Sequence, residues 1–360
     1  MTDPAAPLRV LHVVRTFDLS GRSRMIHDLC AGLAPRCASA VVCLTGAPGF
    51  QPENLEIITL DLPPDGFSFH GMMQLTRLVG ERRIDVIHSH GRGATPYAAG
   101  ARLIHRRARL VHTVHRADGD LLSGRSVVRE PALKAMDRIV AVSRAAADAF
   151  AVMNNADEAA IEIIPNGIDL DRFASARTAE RTGCRLCSVA NLSADKDPET
   201  LLKALAIVRQ QRPAATLRIV GDGPRRGEIH AAVTDLGLTE AVELTGFRSD
   251  IPEILAEADV FMHAAHTEGL GIAVLEAMAA GVPVVATATG GLMEIVRDGE
   301  TGLVVEPGDP EAMAAGVLRL LDNNGLRTSC VKQAAELVQT SFSVAAMCES
   351  YVRVYGELVS

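Results

Sequence analysis

The sequence predicts an α/β protein made of two consecutive domains, each built on a parallel β-sheet. Three observations support this fold class: the chain has 360 residues, short apolar runs alternate with amphipathic stretches throughout, and the pattern restarts after a Pro-Asn-Gly turn signal at 165–167. Domains of about 150 residues are typical, and this alternation is typical of βα units. We therefore expect one domain over 1–168, a second over 169–342, and a final helix within 343–360.

Each domain has its own series of short apolar runs that we interpret as buried strands. In the first domain these are 8–14, 40–44, 56–60, 86–88, 110–114, 139–142 and 161–164. In the second they are 186–190, 217–220, 242–244, 259–262, 283–286 and 302–305. Helices are expected between them, including 24–33, 198–211 and 224–236, and 344–358 has no strand after it. Since ligands of such folds bind at the carboxyl ends of the strands, functional residues should follow strands and face an interdomain cleft.

Composition excludes several classes of protein. Aromatic residues make up 3% of the chain and Trp is absent, which argues against a platform of stacked rings for sugars or bases. The net charge of −8 argues against a nucleic-acid-binding protein. Seven cysteines, an odd number without a preceding apolar leader, are expected to be core thiols rather than disulfides. No apolar run reaches the ~18 residues of a membrane span. We expect a cytoplasmic protein, with peripheral contact to the inner face of the membrane as an open alternative.

The first candidate site is the segment Glu268-Gly-Leu-Gly271, which we expect to open a long helix containing Glu276. Eight residues separate the two carboxylates, which would place them near one helical face. The amides of Gly269, Leu270 and Gly271 would form an anion site at the helix start. This suits a nucleotide sugar, with Glu268 on sugar hydroxyls and Glu276 on ribose hydroxyls. The alternative is a tight turn and a solvated Glu276, but its apolar neighbours disfavour an unpaired charge there.

Two further motifs follow strands of the second domain. Lys196, one of only four lysines, lies in a strand–loop–helix pattern and could neutralise a leaving diphosphate, although a solvent-facing lysine is equally consistent. Gly221 and Gly223 follow a strand, and Glu243 lies twenty residues further on, as in dinucleotide binding. The spacing of these glycines departs from the G-x-G-x-x-G pattern of dinucleotide-binding proteins. We therefore keep an NAD-dependent oxidoreductase only as an alternative.

Histidine pairs follow two strands of the first domain, His88 with His90 and His112 with His115. An H-x-H pair at a strand end can bind zinc, as in a metal-dependent hydrolase. However, no acidic residue follows in a ligand-like position, and β-branched neighbours suggest that His88 and His112 belong to the core. We also interpret the D-x-D triplets at 118–120 and 169–171 as chance matches, so no metal site is expected.

Arginines cluster at the end of an apolar helix pattern in the first domain, at Arg102, Arg106, Arg107 and Arg109. Residues 1–169 carry a charge balance of +1, against −9 for the rest of the chain, so only the first half could approach an anionic bilayer without strong repulsion. A solvated helix end is the alternative to this membrane-surface contact.

Taken together, these motifs resemble those of glycosyltransferase family 4. The run EGLGIAVLEAMAAGVPVVATATGGLMEIVRDGETGLVVEPGD at 268–309 resembles the donor-binding signature of that family over its whole length. Other landmarks occur in family order: SG at 20–21, HSHG at 88–91, TVH at 113–115, VSR at 142–144, PNGID at 165–169, KD at 196–197, GDGP at 221–224 and TGF at 245–247. The resemblance implies the GT-B fold: two Rossmann-like domains facing an interdomain cleft, with the donor site in the second, the acceptor site in the first, and a last helix crossing back.

The resemblance also implies roles for individual residues. The diphosphate would be bound by Lys196, by the backbone of Gly21 and by the 269–271 amides, while Glu268 would hold the sugar and Glu276 the ribose. The base would lie against Gly246, Phe247 and Arg248, and the acceptor against His90 and His115.

Three departures from the family pattern concern the donor site. Asn191 stands where the family usually has a diphosphate-binding Arg, so it would donate N–H groups without a charge. Ala264-Ala265 replace the usual Pro-Ser, and the first loop has Ser-Gly at 20–21 instead of Gly-Gly, followed by Arg22 and Arg24, either of which could supply the missing cation.

The function implied is retaining, metal-independent glycosyl transfer of the hexosyltransferase type. The donor would be a UDP- or GDP-sugar, acting as a co-substrate without a further cofactor, and the acceptor would be a glycan, a lipid-linked molecule or a small molecule. A catalytically inactive sugar-binding protein and the NAD-dependent oxidoreductase remain the alternatives. No nucleic-acid partner is expected.

Overall fold

The computed structural model describes residues 7–18, 20–34, 36–116, 126–177 and 183–360, and for 126–130 and 177 the backbone alone. The chain divides into two compact units. The first comprises Met1–Gly167 together with Val344–Ser360, and the second comprises Ile168–Ser343.

The first unit has a parallel sheet of seven strands in its described part, in the order β3-β2-β1-β4-β5-β6-β7. The strands are β1 (Leu8–Val14), β2 (Cys37–Cys43), β3 (Glu56–Thr59), β4 (Val86–His90), β5 (Arg109–Val114), β6 (Arg138–Ala141) and β7 (Ile161–Ile163). The connecting helices are α1 (Gly21–Leu33), α2 (Phe69–Glu81), α3 (Thr95–Ile104), α4 (Ser126–Ala135) and α5 (Arg144–Asn154). The strand order reverses between β1 and β4, which is where such folds place their ligands.

The second unit has a parallel sheet of six strands among its described residues, in the order β10-β9-β8-β11-β12-β13. The strands are β8 (Arg185–Val189), β9 (Thr216–Val220), β10 (Val242–Gly246), β11 (Val260–His263), β12 (Val284–Thr287) and β13 (Leu303–Val305). The helices are α6 (Ala174–Arg177), α7 (Pro198–Gln211), α8 (Arg226–Asp235), α9 (Ile251–Glu257), α10 (Ile272–Ala279), α11 (Leu292–Ile295), α12 (Pro310–Asp322) and α13 (Asn324–Ser341).

The chain ends in a helix, α14 (Val344–Val359), that belongs to the first unit and packs on α1. The two helices come so close that a Cβ on Gly32 would lie 2.5 Å from Cys348 Sγ. Tyr351 and Tyr355 of α14 are fully buried in the core of the first unit.

Local sequence explains where the elements begin. Strands such as β1 are apolar and buried because both faces of a parallel sheet are covered. The helix α7 begins at Pro198, and the side chain of Asp197 caps it by accepting from Thr200 N. The first turn of α12 repeats this arrangement with Asp309 and Pro310.

All thirteen predicted strands are present within one to three residues of their expected bounds. The prediction of core thiols is also confirmed, because all seven cysteines are free and all but Cys184 are buried. Every helix in the described ranges is too short or too polar to cross a bilayer.

Candidate functional site

A partly buried polar cluster of the second unit joins Lys196, Glu268 and His263. Lys196 Nζ donates to Glu268 Oε2 at 2.9 Å, and His263 Nε2 lies 3.0 Å from the same oxygen. A carboxylate oxygen only accepts, so the Nε2 of His263 carries the proton. His263 is the last residue of β11, and the other two side chains follow β8 and β11 at the carboxyl edge of the sheet.

Hydrogen bonds connect the loop after β8, which carries Lys196, to the loop after β11, which carries Glu268. His266 N donates to Asp195 O at 2.8 Å, and Lys196 Nζ donates to Thr267 O at 3.2 Å. Gly269 N donates to Glu268 Oε1 at 3.1 Å. Lys196 therefore reaches Glu268 from a loop that is fixed against the one carrying the carboxylate.

The Glu268 carboxyl has a strongly lowered pKa. Its burial alone would raise the pKa, but the hydrogen bond from His263 and the charge of Lys196 favour the carboxylate and bring the pKa down to about 2. The group is therefore ionised throughout the physiological range. Within the described residues it accepts three hydrogen bonds, and a carboxylate offers about four acceptor positions.

The helix expected to begin at Glu268 begins instead at Ile272, so the prediction that Glu268 and Glu276 share a helical face is wrong. Gly271 interrupts the helix because it has a φ of 95°, a left-handed conformation that favours glycine. Glu268 lies in the preceding loop, whereas Glu276 lies within α10 and is half-buried.

The segment before α10 is closely packed. Gly269, Leu270 and Gly271 are buried, and a Cβ on Gly291 would lie 2.1 Å from Gly269 O. The first amides of a helix have no partner within the helix and carry its positive dipole end. The carboxylate of Glu268 thus lies directly before a helix start that can receive an anion.

The residues expected to hold the base lie at the end of β10. Gly246 has a φ of 73°, Phe247 is 53% exposed, and Arg248 Nε donates to Asp250 Oδ1 at 2.8 Å. Asn191 is exposed and follows β8 directly. The side chains of Asn191, Phe247 and Arg248 are therefore accessible to a ligand at the carboxyl edge of the sheet, whereas Gly246 is buried.

Glu243 does not have the position that dinucleotide binding requires. It is the second residue of β10 rather than the strand's end, and it accepts a 2.6 Å hydrogen bond from Arg218 Nε. Gly221 serves close packing, because a Cβ there would lie 2.0 Å from Ala190 O. The oxidoreductase alternative depended on Gly221 and Glu243. Gly221 is explained by close packing and Glu243 by its hydrogen bond with Arg218.

In the first unit, the histidines form a buried hydrogen-bonded network. His12 Nδ1 lies 3.0 Å from His90 Nε2, and His90 Nδ1 lies 3.1 Å from His115 Nε2. His88 contacts Tyr355 Oη at 2.6 Å and Thr113 Oγ1 at 2.7 Å. The prediction that His88 is a core residue is confirmed.

His90 cannot contact an acceptor as predicted, which corrects its assignment. Its side chain is buried, and both of its ring nitrogens are taken by His12 and His115. His115, which follows β5, is only half-buried and is the member of this network nearest to the strand end.

His12, His88 and His90 come close enough together to resemble a metal-binding set. Five of their six ring nitrogens are engaged by neighbouring side chains, however, and within the described residues only His12 Nε2 has no partner. The cluster is therefore organised as a hydrogen-bond network. Of the D-x-D triplets, 118–120 lies outside the described residues, and Asp169 Oδ1 accepts from Asp171 N in a turn.

The first loop places its two arginines differently. Gly21 is the exposed first residue of α1, so its amide is among those that a helix start leaves for a ligand. The guanidinium of Arg24 lies 5.3 Å from the centroid of the Phe50 ring. Arg22 Nη2 donates weakly to Thr16 at 3.4 Å, and its Nε is buried with no partner in the described part of the chain. The role of either arginine as the additional cation stays a prediction.

Two members of the predicted basic cluster form ion pairs with Asp137. Arg102 Nε donates to Asp137 Oδ2 at 2.8 Å, and Arg109 Nη1 lies 3.2 Å from Asp137 Oδ1. These bonds hold the pKa of Asp137 below its usual value against the effect of burial. Arg106 and Arg107 are exposed, and Arg109 keeps 42% of its side chain exposed while it contacts Asp137.

Two residues of these networks were missed by sequence reasoning. His263 and His12 both occur in apolar strands, where a histidine is usually a core residue. A signal existed for His263, because it occupies the strand end that immediately precedes the loop carrying Glu268. For His12 the sequence offered none, since its partner His90 is 78 residues away.

Two family models match the chain, one to each unit. The model described as "Glycosyltransferase Family 4" matches residues 19–172, and that described as "Glycosyl transferases group 1" matches residues 175–337. Together they cover the loops that carry Lys196, Glu268 and His115, whereas β1 with His12 and α14 with Tyr355 lie outside both matches.

Individual proteins resemble the chain to different extents. The lipopolysaccharide core biosynthesis glycosyltransferase LpsE of Rhizobium meliloti is 36% identical over 155 residues, 43% of this chain, and the match spans only 44% of that relative's length. The D-inositol 3-phosphate glycosyltransferase of Acidothermus cellulolyticus is 33% identical over 330 residues, covering 80% of this chain and 72% of the relative.

The fold is also that of a solved structure, the Anabaena protein HepE in complex with UDP and glucose. It superposes with a TM-score of 0.84 over 97% of this chain and 99% of HepE, at 23% identity. By its sequence relatives, its two family matches and its two Rossmann-like sheets, the chain belongs to glycosyltransferase family 4.

Proposed function

We propose that the protein transfers a sugar from a nucleoside-diphosphate sugar to an acceptor with retention of configuration and without a metal ion. The observation that carries the proposal is the Lys196–Glu268–His263 cluster immediately before the start of α10. It combines a cation, a helix start and a permanently ionised carboxylate, which suit a diphosphate and the hydroxyls of its sugar.

Lys196 and the amides at the start of α10 bind the diphosphate and stabilise it as the leaving group. Lys196 is held by Glu268 and Thr267, so a bound phosphate meets an ammonium already in place. Charge developing on the leaving oxygen is stabilised by groups that need no reorganisation, usually the largest contribution to catalysis. This charge compensation is the reason to expect independence from a metal.

Glu268 holds the transferred sugar rather than attacking it. Lys196, His263 and Gly269 occupy three of about four acceptor positions of the carboxylate, which leaves one for a sugar hydroxyl. A carboxylate so fully engaged is a poor nucleophile. The proposal therefore includes no covalent intermediate on Glu268 and departs from the two-carboxylate arrangement of retaining hydrolases.

The proposal places the remaining contacts of the donor along the carboxyl edge of the second sheet. Glu276 accepts from the ribose hydroxyls, and the segment 246–248 lies against the base. Asn191 donates to the diphosphate in place of an arginine. In the first unit, His115 contacts the acceptor.

The proposal is tested with a panel of UDP-, GDP- and ADP-sugars. We expect one UDP- or GDP-sugar to raise the melting temperature and to be hydrolysed slowly in the absence of acceptor, equally well in EDTA. Donor binding without any hydrolysis would support the inactive sugar-binding alternative. Loss of hydrolysis in EDTA with recovery in Mn²⁺ or Mg²⁺ would contradict metal independence, and a shift produced by NAD alone would contradict the proposal.

We also propose that the end of α3 contacts an anionic membrane surface that carries the acceptor. Leu103 and Ile104 are exposed apolar residues, and Arg106 and Arg107 follow them as exposed cations. Apolar side chains beside arginines suit the headgroup region of a bilayer. Near an anionic surface each cation contributes about 1 kcal/mol to the free energy of membrane binding.

Changing both Arg106 and Arg107 to Glu is expected to abolish co-sedimentation with phosphatidylglycerol vesicles at low salt. The unchanged protein should bind these vesicles at low salt and be released at high salt, because screening weakens the attraction. Arg297 and Arg319, exposed arginines of the second unit, are changed to Glu as a control with the same change in charge. Failure of the unchanged protein to bind anionic vesicles would exclude the membrane contact.

A further inference from the structure

Three histidines of the first unit form a continuous hydrogen-bonded chain. It runs from His12 in β1 through His90 in β4 to His115 after β5, with nitrogen–nitrogen distances of 3.0 and 3.1 Å. The rings of His12 and His90 stack at 5.3 Å with an interplanar angle of 18°. This row of histidines starts in the core at His12 and ends at the carboxyl edge of the sheet at His115.

Only two neutral arrangements of protons satisfy both hydrogen bonds. Each neutral imidazole has one N–H donor and one acceptor nitrogen, so the donors must all point the same way along the chain. In the first arrangement every ring carries its proton on Nδ1, and the Nδ1–H of His115 lies outside the two histidine–histidine bonds. In the second arrangement every ring carries its proton on Nε2, and Nδ1 of His115 has a lone pair there instead.

The buried end of the chain decides between these arrangements. His12 Nε2 is buried and has no partner among the described residues. In the second arrangement this atom would be an orphaned N–H, whereas in the first it is an unpaired acceptor. Among buried backbone groups, N–H donors without a partner are rarer than under-satisfied acceptors, and we apply the same preference to this imidazole. The first arrangement is therefore favoured.

We propose that His12 and His90 fix His115 in its Nδ1–H tautomer, so that His115 donates a hydrogen bond to an oxygen of the bound substrate and does not act as a base. This rests on the proposed function only in the assumption that His115 contacts a substrate. His12 and His90 are then positioning residues, which act through His115.

Two surrounding features support a neutral and rigid chain. Burial, followed by the charges of neighbouring groups including Arg22, lowers the pKa of both His90 and His115 well below the usual value, and burial lowers that of His12 to about 3. His88 packs against both His12 and His90 and is itself held by Tyr355 and Thr113. Reorientation of one ring would therefore disturb a second hydrogen-bonded set.

A matched pair of substitutions at His12 tests the proposal. The side-chain amide of Asn places a nitrogen donor where Nδ1 of histidine lies, whereas Leu has a similar volume and no donor. Imidazole ¹⁵N shifts report the tautomer directly and need no substrate. We expect His115 to be Nδ1–H in the unchanged protein and in His12→Asn, and to become a mixture of tautomers in His12→Leu.

Donor hydrolysis gives a second readout of the same pair. His12→Leu is expected to lower turnover about tenfold, the usual scale for losing an orienting partner, while His12→Asn should stay within about threefold. Nε2–H on His115 in the unchanged protein, or identical ¹⁵N spectra for the two variants, would overturn the inference. If the tautomers are as expected but no nucleotide sugar binds, the proposed function fails instead.

Discussion

Replacing Lys196 with alanine is expected to lower kcat/KM at least about 100-fold, equivalent to about 2.7 kcal/mol of transition-state stabilisation. The ammonium lies 2.9 Å from Glu268 and is the side-chain cation of that cluster. Its removal leaves the carboxylate facing the diphosphate without compensation, so both binding and departure of the leaving group suffer. The measurement is the initial rate of nucleoside-diphosphate release with the donor identified by the panel.

Lys203→Ala provides the matched control for this prediction. Lys203 is exposed on α7, seven residues further along the chain, and the substitution removes the same charge. Its kcat/KM should equal that of the unchanged protein. A value for Lys196→Ala within about threefold of the unchanged protein would mean that Lys196 does not meet the diphosphate, because the loss would then be under about 1 kcal/mol.

Glu276→Gln is expected to weaken the binding of the free nucleoside diphosphate about tenfold or more, whereas Glu268→Gln should leave it nearly unchanged. A hydrogen bond to a charged group contributes about 1.5–3 kcal/mol, and Glu276 is the carboxylate assigned to the ribose. Glu268 is instead assigned to the sugar, which UDP and GDP lack. Calorimetric titration of each variant with UDP and GDP measures both affinities.

The two variants serve as controls for each other, because each replaces a carboxylate by an amide of the same shape. Melting temperatures establish that both are folded. Equal losses of affinity in the two variants would contradict the separate roles, and a larger loss in Glu268→Gln would reverse them.

Sequence patterns predicted the strands well because burial on both faces of a parallel sheet demands uninterrupted apolar runs. The predicted run at 8–14 matches β1 at both ends. Motifs at strand ends were also placed well, since topology alone brings Lys196 and Glu268 to one edge although 72 residues separate them. The comparisons with known proteins support the family that those motifs resemble.

The errors have physical causes. The spacing of Glu268 and Glu276 suggested one helix that begins at Glu268, but the positive φ of Gly271 delays the start to Ile272. Arg102 appeared exposed until the fold brought Asp137 to it from 35 residues away. His90 appeared to face a ligand because its position after a strand reveals nothing about the histidine that lies behind it. The errors at Arg102 and His90 thus concern partners distant in sequence.

The C-terminal helix has a consequence for how the protein is made. The first unit is discontinuous, since Tyr351 and Tyr355 complete a core whose other residues are synthesised first. The hydrogen-bond partner of His88 thus emerges from the ribosome more than 260 residues after His88 itself. The second unit is continuous, so it has all its own strands while the first still lacks its final helix. Although domains generally fold in the order of synthesis, here the domain that begins the chain is the last to be completed.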